Sequence, residues 1–406
     1  MGRVNSALRR RRRVALIVET SLASGREILQ GITRYLREHR HWSVFYEPRS
    51  LAEMVPSWLR KWDGDGIIAR VSSRRIAEAI VGMGIPAVDV LGMAPEAGLP
   101  LVHLDNDAVA RLAARQLLEL NLRHFGFCGI AGANWSDRRG EAFSAAVGEA
   151  GCDCASFRMH GGSPEHYSWE QEQNELAAWL RELPKPAGVL VCSDQRGEHV
   201  IEACRRGDIA VPDEVAVIGV DNDPILCELC DPPLSSVETS LERVGYAAAE
   251  LLDKLMAGGR PPRDPILFPP RALVVRASSD ALNVNDGDVV AALRFIREHA
   301  CEPIGVDEVV AHVTLSRSTL QRRFRALLGR SVHDEILRMR LLRAQELLVG
   351  TDLPLADIAA RAGFQHSEYM SVVFKQRLGQ TPGRYRSAHT GAAVASVPRP
   401  KANPRQ

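Results

Sequence analysis

From Val14 to about Ser278, short apolar runs alternate with longer stretches in which apolar residues recur every three or four positions. The runs are Val14 to Val18, Gly66 to Ala69, Ala87 to Leu91, Gly126 to Ile130, Gly188 to Cys192 and Val215 to Val220. Each is too short for a helix and unbroken rather than alternating, as parallel strands buried on both faces and joined by crossover helices must be. The intervening stretches carry the helical period. Ile28, Ile32, Tyr35 and Leu36 share one face after Gly25, and Leu112, Leu117, Leu118 and Leu120 do the same before the run at Gly126. The pattern predicts an α/β, doubly wound domain over residues 14–278. About 265 residues is large for one open sheet, so two similar lobes are expected. Pro232-Pro233-Leu234-Ser235-Ser236 and Pro269-Pro270 read as the places where the chain crosses between them.

Residues 279–288 are polar and turn-forming and read as a linker. After it the pattern is helical and repeats itself. Val309-Val310-Ala311 through Phe324, then Leu328-Gly329-Arg330-Ser331, is matched by Ile358-Ala359-Ala360 through Phe374, then Leu378-Gly379-Gln380-Thr381. The offset is 49 residues before the turn and 50 after it, so one copy has an extra residue where a helix-turn-helix bends. An all-α domain with two helix-turn-helix units, over residues 289–389, is therefore expected.

In the first unit Val306 to Val313 forms the leading helix, Thr314-Leu315 the turn, and Ser316 the N-cap of the second helix. Leu320, Phe324 and Leu327 face inward by their spacing, which leaves Arg317, Ser318, Thr319, Gln321, Arg322 and Arg325 outward. Arg and Gln make paired hydrogen bonds to guanine and adenine edges in the major groove, and Arg325 lies where phosphate is the expected partner. A basic helix face standing alone is more often solvated surface, but a second spaced copy argues for double-stranded DNA. That copy opens with Pro354, bends at Gly363, and buries Met370, Val373 and Phe374. Its outward residues are His366, Ser367, Glu368, Ser371 and Lys375. Between the units, 332–349 spans about 27 Å as a helix. This is close to one DNA turn of about 34 Å, so both units can enter successive major grooves.

These residues resemble the DNA-binding domain of AraC/XylS-type transcription regulators, from Val289 to Tyr385-Arg386. The signature is Ile358-Ala-x-x-x-Gly363-Phe364 to Tyr369, then Phe374-Lys375 and Thr381-Pro382-x-x-Tyr385-Arg386. Two positions depart from the family pattern. His366 stands where a better N-cap such as Asp or Ser is frequent, and Val372 where a phosphate-binding Arg is frequent.

Composition changes the picture through its asymmetry. The 406 residues carry a net charge of +1, yet residues 287–406 hold 18 Lys/Arg against 11 Asp/Glu, a balance of +7, leaving −6 on the remainder. A basic tail on an acidic body suits a nucleic-acid reader attached to something else. Eight cysteines are too few for a disulfide framework and mostly sit in apolar runs. Cys227-Glu-Leu-Cys230 has the spacing of half a zinc site with no matching second half, so no metal and no cofactor are expected. Arg9 to Arg13 precede only five apolar residues before Glu19. This is too short for a secretion signal, so residues 1–13 read as a basic disordered leader. The protein is expected in the cytoplasm, with residues 390–406 disordered.

Ligands of open parallel sheets collect at the carboxyl ends of strands. After Gly126 to Ala131 come Trp135, Arg138 and Arg139; after Val189 to Cys192 comes Asp194; after Val217 to Val220 come Asp221 and Asn222. A carboxylate takes two neighbouring hydroxyls, Arg donates in a fixed plane, and a Trp face covers the apolar side of a sugar ring. Any one of these alone is more often a helix cap or core packing. The run Val215 to Asp221, Pro232 to Val237 and Ser193-Asp194-Gln195 resemble the ligand-binding domain of LacI-type repressors and periplasmic sugar-binding proteins. That likeness implies a periplasmic-binding-protein-like sensor with Arg139, Asp194 and Asp221 in its cleft. The order of sensor then AraC-type reader resembles the XylR-type xylose regulators, as do Trp58-Leu59 with Asp65-Gly66-Ile67-Ile68-Ala69 and Ile296-Arg297-x-His299-Ala300-Cys301.

The resemblance implies a transcription activator of a pentose operon. It would bind a small sugar, work as a homodimer and contact RNA polymerase. A sugar-transport binding protein and a regulator of another small polar metabolite are the alternatives. An enzyme is not expected, because the chain has no GxxxxGKS loop, no GxSxG elbow and no spaced metal ligands.

Overall fold

The computed structural model describes residues 11–39, 42–48, 55–159, 168–280, 286–351 and 353–390. The chain divides into two compact units, Met1–Asn283 and Val284–Gln406.

In the first unit a lobe is built from β1 (Arg12–Ile17), α1 (Ala23–His39), β2 (Trp42–Tyr46), β3 (Gly66–Ala69), α2 (Arg74–Val81), β4 (Ala87–Asp89) and β5 (Val102–Leu104). The second lobe follows with α3 (Asn106–Glu119), β6 (His124–Ile130), α4 (Asn134–Gly148), β7 (Cys154–Met159) and α5 (Trp169–Glu182). It continues with β8 (Ala187–Val191), α6 (Asp194–Arg206), β9 (Val215–Asp221), α7 (Pro224–Leu229) and β10 (Ser235–Glu238). Helix α8 (Leu241–Met256) and β11 (Ile266–Phe268) return to the first lobe, and β12 (Ala272–Val274) to the second. The first sheet has the order β2-β1-β3-β4, all parallel. The pair β5–β11 extends it through a bridge from Asp89 to Leu101. The second sheet runs β12-β10-β9-β8-β6-β7, parallel except at β12.

The inner strands of each sheet are buried on both faces, which is why they read as unbroken apolar runs. Val14, Leu16 and Val18 point to one core and Ala15 and Ile17 to the other. In the same way Val215 and Val217 face one side while Ala216, Ile218 and Val220 face the opposite one. All six apolar runs are strands. On α1 the buried face is Ile28, Ile32 and Tyr35 with Leu36 beside it, but on α3 the fully buried stripe is Val109, Ala110, Ala113, Ala114 and Leu117. Leu112, Leu118 and Leu120 pack only at its margin, because small residues let α3 lie close to the sheet.

Three connections cross between the lobes: β5 to α3, β10 to α8, and β11 to β12. They are laced together by backbone bonds from Asp105 N to Phe268 O (2.8 Å) and Arg271 N to Glu238 O (2.8 Å). Pro269-Pro270 is thus a crossing, but Pro232 to Ser236 is not, since Ser235 and Ser236 lie in β10 beside β9 and the chain crosses after Glu238. The returning α8 lies against α1 at a contact with no room for side chains. A Cβ on Gly31 would fall 1.9 Å from Glu242 O, and one on Gly245 2.0 Å from Ile28 O.

The boundaries also shift. Arg12 and Arg13 belong to β1 rather than to a leader, held by ion pairs to Asp253 (3.0 Å) and Asp63 (2.8 Å); residues 1–10 lie outside the described residues. Of 279–288, Ser279 is buried in the first unit, Asp286 caps a helix and Gly287 and Asp288 lie in it, while 281–285 lie outside the described residues. Thr390 closes the last helix, and 391–406 lie outside the described residues. Among the described residues no helix is long and apolar enough to cross a membrane.

The second unit is all-α: α9 (Gly287–His299), α10 (Val306–Ala311), α11 (Arg317–Leu328), α12 (Val332–Gly350), α13 (Leu355–Arg361), α14 (Ser367–Leu378) and α15 (Pro382–Thr390). Helix α10 stops at Ala311, two residues short of the expected end. Ser316 caps α11 by accepting from Thr319 N (3.4 Å). Leu320 and Phe324 are fully buried as their spacing requires, but Leu327 is 48% exposed, so the apolar stripe of α11 serves only its first two turns. In the second copy Met370, Val373 and Phe374 are buried, and Gly363 takes φ +80 at the bend. Ala300 O lies 2.7 Å from where a Cβ on Gly363 would stand, so glycine is required there on both counts.

Candidate effector cleft and nucleic-acid interface

The carboxyl ends of both sheets face the gap between the lobes of the first unit. From the first lobe, Glu19 follows β1, Arg70 follows β3, Asp89 closes β4 and His103 lies in β5. From the second, Arg139 projects from α4, Asp194 heads α6 and Asp221 ends β9. Arg26 on α1 pairs with Asp223 at 3.7 Å, and Asn134 Nδ2 donates to Gly92 O at 2.5 Å, so the two sides meet across the gap.

Arg139 is 3% exposed. It donates to the carbonyl of Cys192 and to Asn106 Oδ1 (2.8 Å), and it lies 5.3 Å over the Trp135 ring. Among the described residues its Nε has no partner. Arg70 donates to Glu19 and to Ser24 Oγ (3.2 Å), and among the described residues its Nε is also unpartnered. Burial lowers its pKa to about 10, against the pull of Asp221 and Asp89.

The charges of both cations act on Asp221. Burial lifts its carboxyl to about 6, held from going further by Arg139 and Arg70. Its backbone has φ 113, a conformation that a non-glycine residue holds only when its surroundings enforce it. Among the described residues its carboxylate accepts no side-chain hydrogen bond, although two guanidinium charges act on it.

His103 completes the set. Its Nδ1 lies 3.2 Å from Val90 O, and a carbonyl only accepts, so Nδ1 is assigned the proton and Nε2 is left, among the described residues, as a bare acceptor with no partner. Burial, then the charges of Arg70 and Arg139, push its pKa down to about 3, and the ring is neutral at physiological pH.

Asp194 plays a different part. It is 1% exposed, and its oxygens take Ser236 Oγ (2.5 Å), Asp223 N (2.7 Å) and Cys227 Sγ (3.4 Å). It anchors the loop after β9, and burial with Asp221 nearby raises its carboxyl to about 7. Asn222 is occupied as well, with its Oδ1 accepting from Arg276 (2.9 Å). Trp135 is half-buried beside the core, with Arg139 over its face. Arg138 points outward and is exposed, though its charge reaches His103.

The strand ends of the second lobe carry Arg139, Asp194 and Asp221, while Glu19, Arg70, Asp89, His103 and Asn106 also reach the cleft and were not expected from the sequence. The signal was present: Arg70 follows β3 directly and Glu19 lies two residues past β1, where the strand-end rule applied to the first lobe places ligand groups. Asp89 is a loop anchor, taking the backbone N–H groups of Leu91 (2.8 Å), Gly92 (3.0 Å) and Val71 (3.2 Å). Among the described residues no cluster of three or more potential metal ligands is present.

In the second unit the outward face of α11 carries Arg317, Ser318, Arg322 and Arg325 exposed, with Thr319 and Gln321 half-buried beside them. Arg317 is held at 2.6 Å by Asp307 of α10, which fixes its guanidinium at the start of the helix. The outward face of α14 carries His366, Glu368 and Lys375 exposed, with Ser367 and Ser371 half-buried. His366 makes no side-chain cap, unlike Ser316. The two faces therefore differ in charge as well as in N-terminal order.

Comparison with known proteins bears on both units. The family described as XylR N-terminal domain matches residues 13–103, the periplasmic binding protein-like domain residues 114–279, and a helix-turn-helix domain residues 309–388. The xylose operon regulatory protein of Escherichia coli (strain K12) is 32% identical over 391 residues, covering 94% of this chain and 98% of that one. That of Haemophilus influenzae is 31% identical, over 92% of this chain and 98% of its own. A solved structure described as the xylose-binding transcription activator XylR superposes with a TM-score of 0.80 at 30% identity, over 94% of this chain and 99% of that one.

Proposed function

The chain belongs to the family of xylose operon regulatory proteins, and from that premise we propose that its effector is a pentose of the xylose type, held between the two lobes of the sensor. The protein is a sugar-responsive, DNA-binding transcription regulator. The observation that carries the effector reading is the pairing of unmatched groups in the cleft. Among the described residues Arg70 Nε and Arg139 Nε are buried donors without acceptors and His103 Nε2 is a buried acceptor without a donor. The charges of Arg139 and Arg70 act on the nearby Asp221 carboxylate. A sugar hydroxyl both donates and accepts, so one uncharged polyol satisfies groups of both kinds. Trp135, half-buried and with Arg139 over one face, is the ring assigned to the apolar side of the sugar.

Asp221 and Arg139 are assigned direct contact with the sugar, and Asp194 and Asn222 the support of the loop that carries Asp221. Arg138 supplies charge at the mouth. The reader binds double-stranded DNA with Arg317, Ser318, Thr319, Gln321, Arg322 and Arg325 in one major groove, and His366, Ser367, Glu368 and Lys375 in the next. Sugar binding favours the closed sensor, and in a homodimer closure alters how paired readers are presented to the promoter, where the bound protein contacts RNA polymerase. The sensor comprises residues 14–278 and the reader 289–389, and no catalytic step is assigned to either.

Thermal-shift and calorimetric titration against a panel of pentoses and hexoses tests the effector. Xylose or a close pentose is expected to raise the melting temperature of the wild-type chain, and Asp221→Ala to abolish that rise while leaving the sugar-free melting temperature within a few degrees. A flat response across the sugars, or a response to another small polar metabolite only, overturns the pentose assignment.

A further inference from the structure

Two polar joints on α12 tie the helix-turn-helix units to one another. Midway along it, Arg340 donates to the carbonyls of Ala300 (2.7 Å), Glu302 (3.0 Å) and Ile304 (2.9 Å), the loop that leads into α10 of the first unit. Gly363, at the bend of the second unit, packs on that same place, with Ala300 O and Arg340 Nε both within 3 Å of where its Cβ would stand. At the start of α12, Asp334 accepts from Ser331 Oγ (2.7 Å), in the short turn that follows α11, and its other oxygen takes Arg377 of α14. One carboxylate thus closes the N-terminal cap of α12, just past the Gly329 end of α11, and holds a side chain of the second recognition helix. The next residue, Glu335, is fully buried and gripped by Arg330 and Arg338, which locks the turn below it.

Arg377 is placed to act as a joint and not as a DNA contact. On α14 the buried residues are Met370, Val373 and Phe374, and Arg377 continues that inward stripe by its i+3 and i+4 spacing. The outward residues Glu368, Ser371 and Lys375 lie on the other side. A single pair at this exposure contributes little to stability, so its value lies in fixing an angle.

We propose that Asp334, Arg377 and Arg340 are positioning residues that hold the second recognition helix in a fixed relation to the first and so set the spacing between two DNA boxes that the protein accepts. A rigid pair of readers gains from both boxes only when their separation matches, and loosening the joint lowers the effective concentration of the second reader while widening the tolerated spacing. This rests on the DNA-reading half of the proposed function.

The test uses the full chain and a two-box duplex selected by the wild-type protein from a random library. It is compared with duplexes carrying one to three base pairs inserted or removed between the boxes, and with a single-box duplex. Wild type is expected to lose about tenfold in affinity for a shift of one base pair, and Arg377→Gln and Asp334→Asn about fivefold on the matched duplex with a penalty for the shift below about threefold. Single-box affinity stays at the wild-type value, and Arg377→Lys restores most of the discrimination. Arg340→Ala is expected to act in the same direction, and the Arg377 and Asp334 variants decide the matter should it fail to fold. An unchanged spacing penalty in folded Arg377→Gln and Asp334→Asn overturns the inference, as does weaker binding of the single-box duplex by Arg377→Gln. If the wild-type chain selects no duplex, the DNA-reading assignment falls and this inference with it.

Discussion

A carboxylate under the charge of two guanidinium groups is a titratable acceptor, and Asp221 brings that titration close to neutral pH. Burial raises its carboxyl to about 6 despite Arg139 and Arg70. Hydroxyls donate better to the ionised form, so sugar binding pulls the group toward ionisation and releases a proton near pH 6. Sugar affinity is therefore expected to be full above about pH 7 and to fall as pH drops through about 6. Calorimetry in two buffers of different ionisation heat checks this, and an affinity that is flat from about pH 5 to 8 contradicts it. On the reader, Arg322→Ala is expected to cost about 1–3 kcal/mol and to relax preference at one base position. Uniform weakening across sequences in a binding-site selection would make it a phosphate contact instead. At this scale the sequence was half legible. Arg139, Asp194 and Asp221 followed from the strand-end rule, but nothing local marks which carboxylate is open. Asp194 is spent on Ser236, Asp223 and Cys227, partners about 29 to 42 residues away that only the fold brings together.

Elements buried on both faces were legible because that burial demands unbroken apolar runs, and all six central runs became strands. The edges were not. Strand β2 has the burial pattern Beeei and β7 ieeieB, since an edge strand covered on one side needs no continuous apolar run. Strand β10 was hidden for another reason. Its Ser235 and Ser236 are fully buried with hydroxyls satisfied by Arg276 O (2.9 Å) and Asp194 (2.5 Å), so a central strand there reads as a polar loop. The duplicated helix-turn-helix was the most legible feature, because caps, bend glycine and helical period are local. The packing of α1 on α8 leaves no sequence signal beyond two glycines, yet it ties a helix near the start of the sensor to one that returns near its end. Gly245→Ala is expected to destabilise the sensor by about 1–3 kcal/mol, since the added methyl meets the backbone of Ile28 and neither helix can yield without moving. Calorimetric melting of the variant checks it, and a melting temperature equal to wild type would show that the helices separate freely.

For the whole molecule the charge asymmetry was informative: an acidic first part and a basic last part correspond to two compact units with different chemistry, one an α/β cleft and the other a pair of helical readers. A sugar bound in the first is expected to change what the second does on DNA. Coupling of this kind is reciprocal, so DNA must also tighten the sugar. The most direct measurement is the affinity of the full chain for its own promoter duplex, by fluorescence anisotropy at fixed salt, with and without saturating xylose, for wild type and Asp221→Ala. Wild type is expected to bind about fivefold or more tighter with the sugar, and Asp221→Ala to bind the same with or without it. Equal wild-type affinity in the two conditions, across xylose and the related pentoses, contradicts the account.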